Sequence, residues 1–155
     1  MDKIIEKILA YTLTISENSS LSESFSKESF VEAVLNRLVS FGYEPKEDDS
    51  WVIGFVMQKV ENHIKNSCNI SSVPEGLFNV AVDMVCGEFL LAKKQTGKLE
   101  LADLDLNGAV TQIKEGDISV SFGSSSSDED KFNQFLNYLL HHGEGDFVCF
   151  RKLTW

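Results

Sequence analysis

The chain has 155 residues, 24 acidic against 14 basic side chains, a formal charge of −10 and 43% hydrophobic residues. That length suits one domain with a real core, and the low proline and glycine content excludes collagen-like and fully disordered classes. The acidity argues against a protein that grips a nucleic-acid backbone, which requires a basic face.

Residues 2–15 carry Ile4, Ile5, Ile8, Leu9 and Leu13 at helical spacing, while Glu6 and Lys7 leave no unbroken apolar core for a secretory signal or membrane anchor. Ser16-Glu-Asn-Ser-Ser-Leu-Ser-Glu-Ser predicts a polar linker, with Leu21 and Phe25 able to lie against the body. A second helix over 27–41 places Phe30, Val31, Val34, Leu35, Leu38 and Val39 on one stripe, and Gly42 is placed to end it. Glu44-Pro-Lys-Glu-Asp-Asp-Ser is an acidic loop whose Asp48 or Asp49 can cap the next helix. That helix, over 50–66, carries Val52, Ile53, Val56, Met57, Val60 and Ile64, and stops in Asn66-Ser-Cys-Asn69. Pro74 opens the longest helix, with Glu75 near the positive end of its dipole. From Leu77 to Leu91 this helix is apolar almost all round, which predicts the centre of a bundle. Lys93 and Lys94 close it and Gly97 ends it.

Beyond residue 108 the period changes. Ile118, Val120 and Phe122 alternate with serines, and 109–114 can pair with them across Glu115-Gly116-Asp117, which predicts a β-hairpin over 108–123. Gly123 and the four serines after it form a loop, and Ser127-Asp-Glu-Asp130 has the form of a capping box with Asp in place of Glu. The helix over 127–142 has Phe132, Phe135, Leu136, Leu139 and Leu140 on one face, and the aromatic segment 146–155 is expected to be extended. The predicted class is mainly α, a small helical bundle with a β-hairpin and a short extended C-terminal segment. It forms one domain over 1–155: helix and Ser-rich linker (1–26), helical core (27–97), hairpin (108–123), C-terminal helix (127–142) and closing segment (146–155).

Chemistry-bearing motifs are sparse. Cys68, Cys86 and Cys149 are odd in number and far apart, as expected of free thiols in a reducing compartment. Asp103-Leu-Asp105-Leu-Asn107-Gly108 matches the first half of an EF-hand loop, but Lys114 occupies the position that needs a bidentate Glu, so a polar turn is expected. His63, His141 and His142 lack the close ligand pairs of zinc sites. No phosphate loop and no Gly-x-Ser-x-Gly elbow occurs, and the paired acids sit at helix starts where capping explains them. No catalytic residue, cofactor or metal ligand is therefore predicted, and an enzyme is not expected. At the C-terminus, Phe147, Phe150, Leu153 and Trp155 either complete the core or form an anchor buried by a partner, and Arg151 fits the second role.

Several segments together carry a resemblance: Asp48-Asp-Ser-Trp, Asn66-Ser-Cys-Asn-Ile, Pro74-Glu-Gly-Leu with Val-Asp-Met-Val-Cys-Gly-Glu-Phe-Leu, Gln112-Ile-Lys-Glu-Gly-Asp-Ile-Ser-Val-Ser-Phe122, and Asp146-Phe-Val-Cys-Phe-Arg-Lys-Leu-Thr-Trp155. Their order over 48–155 resembles the head–tail connector (adaptor, head-completion) proteins of tailed bacteriophages and of prophages in Gram-positive bacteria; residues 1–45 match only loosely. The resemblance implies a structural subunit without catalytic residues that joins a ring, typically of twelve copies, beneath the portal. Such a ring extends the DNA channel and receives the head-closure or tail-completion protein. It implies residence in the host cytoplasm before assembly and in the virion afterwards, DNA only as passing cargo, and no membrane. The connector-to-portal contact maps best to Phe147, Phe150, Arg151 and Trp155. A net charge of −10 suits a conduit that must not hold phosphates, and suits solubility equally. A competing expectation is an acidic DNA mimic that occupies a host nucleic-acid-binding protein, although the carboxylates cluster at loops and helix starts.

Overall fold

The structure, a computed structural model, describes residues 1–15, 25–108 and 127–153. Six α-helices are described in full: α1 (Asp2–Ile15), α2 (Lys27–Ser40), α3 (Ser50–Cys68), α4 (Phe78–Gln95), α5 (Asp128–His141) and the single turn α6 (Phe147–Phe150). Short 3₁₀ turns precede α3, α4 and α6, and another spans Leu101–Asp103.

The helix ends follow local chemistry. Ser26 caps α2 by accepting from the Ser29 amide at 3.0 Å. At its other end Gly42 takes φ +87°, and the Gly42 and Tyr43 amides donate to the carbonyls of Val39 and Leu38, a Schellman closure. Gly97, at φ +67°, closes α4 the same way through Lys94 and Lys93. Ser127 and Asp130 form the expected reciprocal box: the Ser127 hydroxyl accepts from the Asp130 amide, and the Asp130 carboxylate accepts from the Ser127 amide.

Packing makes α4 the axis. Val80, Ala81, Val82, Met84, Val85, Cys86, Phe89 and Leu90 are all buried, as its all-round apolarity predicted. Both α2 and α3 pack on α4, and α1 packs on α2 and α3. The four helices form a square in which α2 and α3 stand at diagonal corners and share no packed face. α5 covers another side of α4. Gly87 permits that approach, since a Cβ there would lie 3.0 Å from the Leu139 Cβ. Among the described residues, no helix is long and apolar enough to cross a membrane.

Two parts of the predicted class are corrected. The fold is an all-helical bundle with no strand among the described residues, so the hairpin drops out of the class. Of the residues assigned to it, 109–123 lie outside the described ones. Residues 106–108 are helical, and the Asp105 carboxylate caps their start by accepting from the Gly108 amide at 2.9 Å. The supposed polar turn before a hairpin is thus a helix cap. The closing segment is likewise not extended throughout: Glu144–Asp146 is a 3₁₀ turn that runs into α6, and extended backbone begins only at Arg151. Phe147 and Phe150 are three residues apart, a helical spacing that puts both on one face.

Candidate interaction surface

The stripe that buries α3 leaves a second set of side chains outside. Ile53, Val56, Met57, Val60 and Ile64 point inward, and Trp51, Phe55 and Lys59, four residues apart in turn, form the outer face. The Trp51 and Phe55 rings stack with centroids 5.6 Å apart and planes 12° from parallel. About half of each remains exposed, at 52% and 48%. Both are too large and too apolar to be scattered surface residues of no consequence when they sit side by side.

Trp51 stands on a ridge between two grooves. On one side, α1 contributes Lys7, Ala10, Tyr11 and Thr14. There Lys7 pairs with Glu47 at 2.7 Å, a bond that raises the ammonium pKa and lowers that of the carboxyl; both groups are exposed and the pair adds little to stability. On the other side a groove of about 890 Å³ runs between α3 and α4, floored by Val52, Phe55 and Leu91 and rimmed by charges of both signs, Lys46, Lys59 and Lys98 with Asp48 and Glu88. Lys59 reaches Glu88 at 2.7 Å across it.

The first turn of α3 is held by a buried network. Asp49 accepts from the Lys93 ammonium at 2.6 Å, the Tyr43 hydroxyl at 2.8 Å and the Lys46 amide at 2.9 Å. Burial pushes the Asp49 carboxyl up, but Lys93, the Lys46 amide and the Tyr43 hydroxyl outweigh it and hold the group below its ordinary value. The Tyr43 phenol is pushed upward, by burial first and by Asp49 second. Asp49 therefore fastens the 43–49 loop to α4 and does not cap α3 through its side chain, as the sequence suggested it could. A second network ties three helices: Asp83 on α4 pairs with Arg37 of α2 at 2.8 Å and lies 3.5 Å from His142, whose ring stacks on Tyr138 of α5. These polar groups already serve as inter-helix ties. Burial raises the thiol pKa of Cys86 well above, and that of Cys68 above, the ordinary value, the opposite of nucleophile activation.

The C-terminal residues predicted to meet a partner are placed differently from one another. Phe147 is buried, and its carbonyl accepts from the Cys68 thiol at 3.7 Å. Phe150 is half-buried with its ring over Gly76, where a Cβ would lie only 2.5 Å from it. Arg151 is exposed, and its Nε donates to the Ser67 carbonyl at 3.1 Å. The Lys152 amide donates to the Cys68 carbonyl at 2.8 Å, and the Asn69 side chain donates to the Lys152 carbonyl at 3.1 Å. The segment thus caps the open carbonyls of α3, which ends at Asn69 in the left-handed conformation. Val148 and Leu153 face outward, each 69% exposed. Trp155 lies outside the described residues.

No family model, no curated protein and no solved structure matches the chain. The aromatic face of α3 was not among the residues expected to bind. A signal for it was present, because Trp51 and Phe55 are large aromatics four apart and off the apolar stripe of their own helix. Of the four C-terminal positions, the three described ones, Phe147, Phe150 and Arg151, all help seat the segment on the body.

Proposed function

We propose that this chain is a structural subunit of a tailed bacteriophage or prophage, a head–tail connector that joins copies of itself into a ring between the portal and the tail or head-closure protein. The ring extends the DNA channel and passes DNA without holding it. The order of segments over 48–155 supports this, and an all-helical protomer is compatible with it. The observation that carries the proposal is the closing segment, which is pinned at three points to the end of α3 while Val148 and Leu153 point away from the body. An apolar projection held in a fixed place suits a docking contact with the portal. Phe147, Phe150 and Arg151 position that projection; Trp155 belongs to the contact itself.

Electron microscopy of the protein mixed with its portal tests the proposal. Rings bound to the portal are expected, and absence of any complex would overturn it. A stable one-to-one complex with a host nuclease, without rings, would favour the DNA mimic. Because Phe147 is core, the truncation that probes the contact ends after Lys152. That variant should fold normally and bind the portal more weakly.

A further inference from the structure

We propose that the junction between α5 and the closing segment is a proton-operated clasp, drawn tight in mild acid and slackened above neutrality. The clasp is a property of the fold and stands apart from the connector role. The chain has three histidines, His63, His141 and His142, and each has a ring nitrogen 3.1–3.8 Å from a carboxylate oxygen. His142 is the decisive one. Its Nδ1 lies 2.9 Å from the Tyr138 carbonyl oxygen, which can only accept, so that nitrogen carries a hydrogen. Its Nε2 lies 3.5 Å from Asp83 Oδ2, and a carboxylate also only accepts. A neutral imidazole has one N–H and leaves a lone pair facing one of the two oxygens, whereas the imidazolium donates toward both. The side chains of His142 and Asp83 are 18% and 12% exposed, so water is a poor substitute for the missing donor.

The groups around this pair come from three helices. From α2, Arg37 Nε donates to the other oxygen of Asp83, Oδ1, at 2.8 Å. From α5, the Tyr138 ring stacks on His142 with centroids 4.3 Å apart, and on α4 the Cys86 thiol lies within the field of Asp83. The Arg37 charge opposes a second cation, while the vacant Asp83 oxygen and the carbonyls at the end of α5 favour it. The other two histidines act on the closing segment itself. His141 Nδ1 lies 3.1 Å and His63 Nε2 3.8 Å from one oxygen, Glu144 Oε1. Glu144 opens the 3₁₀ turn that leads into α6, so two charged rings on its carboxylate tie the end of α5 and the start of the segment to α3. Lys59, one turn before His63, is engaged by Glu88. Imidazoles take up their proton between about pH 7.5 and 5.5. A cation formed beside a carboxylate that only the folded chain supplies stabilises that state as the pH falls, and the stabilisation is lost as the pH rises.

Native-state hydrogen exchange on the full chain, corrected for the intrinsic pH dependence of exchange, tests the clasp. The amides to follow are those of His142, Asp146 and Lys152, which donate to the carbonyls of Tyr138, Gly143 and Cys68. Their protection is expected to rise several-fold from pH 7.5 to 5.5, while the Gly42 and Tyr43 amides at the far end of α2 stay level. Substituting all three rings, His63→Gln with His141→Gln and His142→Gln, should flatten the response. His142→Gln alone should remove most of it at its own amide, and the exposed pair His63→Gln with His141→Gln most of it at Asp146, so the test survives if the triple variant does not fold. Nitrogen-15 spectra of the wild type need no variant: at pH 5.5 both ring nitrogens of His142 should carry a hydrogen that exchanges slowly with water. Equal protection of the wild type at the two pH values, or an unchanged response in the folded variants, would overturn the clasp.

Discussion

Replacing Asp49 by alanine should be among the most damaging single changes in the protein, although the residue is only a loop carboxylate. Its side chain is 3% exposed and that of Lys93 is 13% exposed, with 2.6 Å between the charged atoms. Asp49→Ala leaves the Lys93 ammonium without its counter-charge and the Tyr43 hydroxyl and Lys46 amide without their acceptor. Breaking a buried pair from one side costs about 3–5 kcal/mol, a large part of the roughly 5–15 kcal/mol that holds a domain together. For a chain of this size that corresponds to a fall in Tm of about 6–20 °C. Urea denaturation followed by far-ultraviolet circular dichroism measures it, together with Lys93→Met and the double variant. The double variant should recover part of the loss, because no charge is left stranded while the Tyr43 hydroxyl and Lys46 amide still lack their acceptor. The linkage to pH has a definite sign. With its folded pKa lowered, Asp49 contributes its full stabilisation above the ordinary aspartate value near about 4, and loses it as the pH falls toward the folded value. The gap between wild type and Asp49→Asn should therefore narrow in acid. A loss below about 1 kcal/mol for Asp49→Ala, or a gap that does not change with acid, would refute the network as described.

Three further outcomes follow from particular contacts. Gly76→Ala should displace the Phe150 ring and unpin the closing segment, seen as faster hydrogen exchange at the Lys152 amide, with global stability changed by less than about 1 kcal/mol because an aromatic side chain can swing aside. Ser127→Ala removes the acceptor for the Asp130 amide and should cost about 1 kcal/mol in chemical denaturation, against little change for Ser127→Asp, which can still cap. In thiol titration of the native protein Cys149 should react at once, while buried Cys68 and Cys86 should react only on unfolding.

Much of the helical plan was legible because its signals are local. Gly42 and Gly97 at positive φ, the Ser127–Asp130 box and the unbroken apolar surface of the helix after Pro74 each act over a few residues, and each is found where the sequence placed it. The closing segment was misjudged because its aromatic content was weighed above its spacing. Phe147 and Phe150 share a helical face, so the chain can bury one ring and seat the other on Gly76 while coiling through a single turn. Asp105 was misplaced for a related reason: a short acidic run before Gly108 suits a turn or a cap equally, and only the helical backbone at 106–108 chooses the cap.

What sequence alone determined is the five longer helices and most of their inward faces, Leu13 and Val39 being left outside, since periodicity and capping are properties of neighbours along the chain. What only the tertiary structure decided is which faces stay outside. Burial of Asp49 and exposure of Trp51, two residues apart, depend on α4 supplying Lys93 to the first and no described residue covering the second. Those are contacts between residues distant in sequence, so no local pattern encodes them.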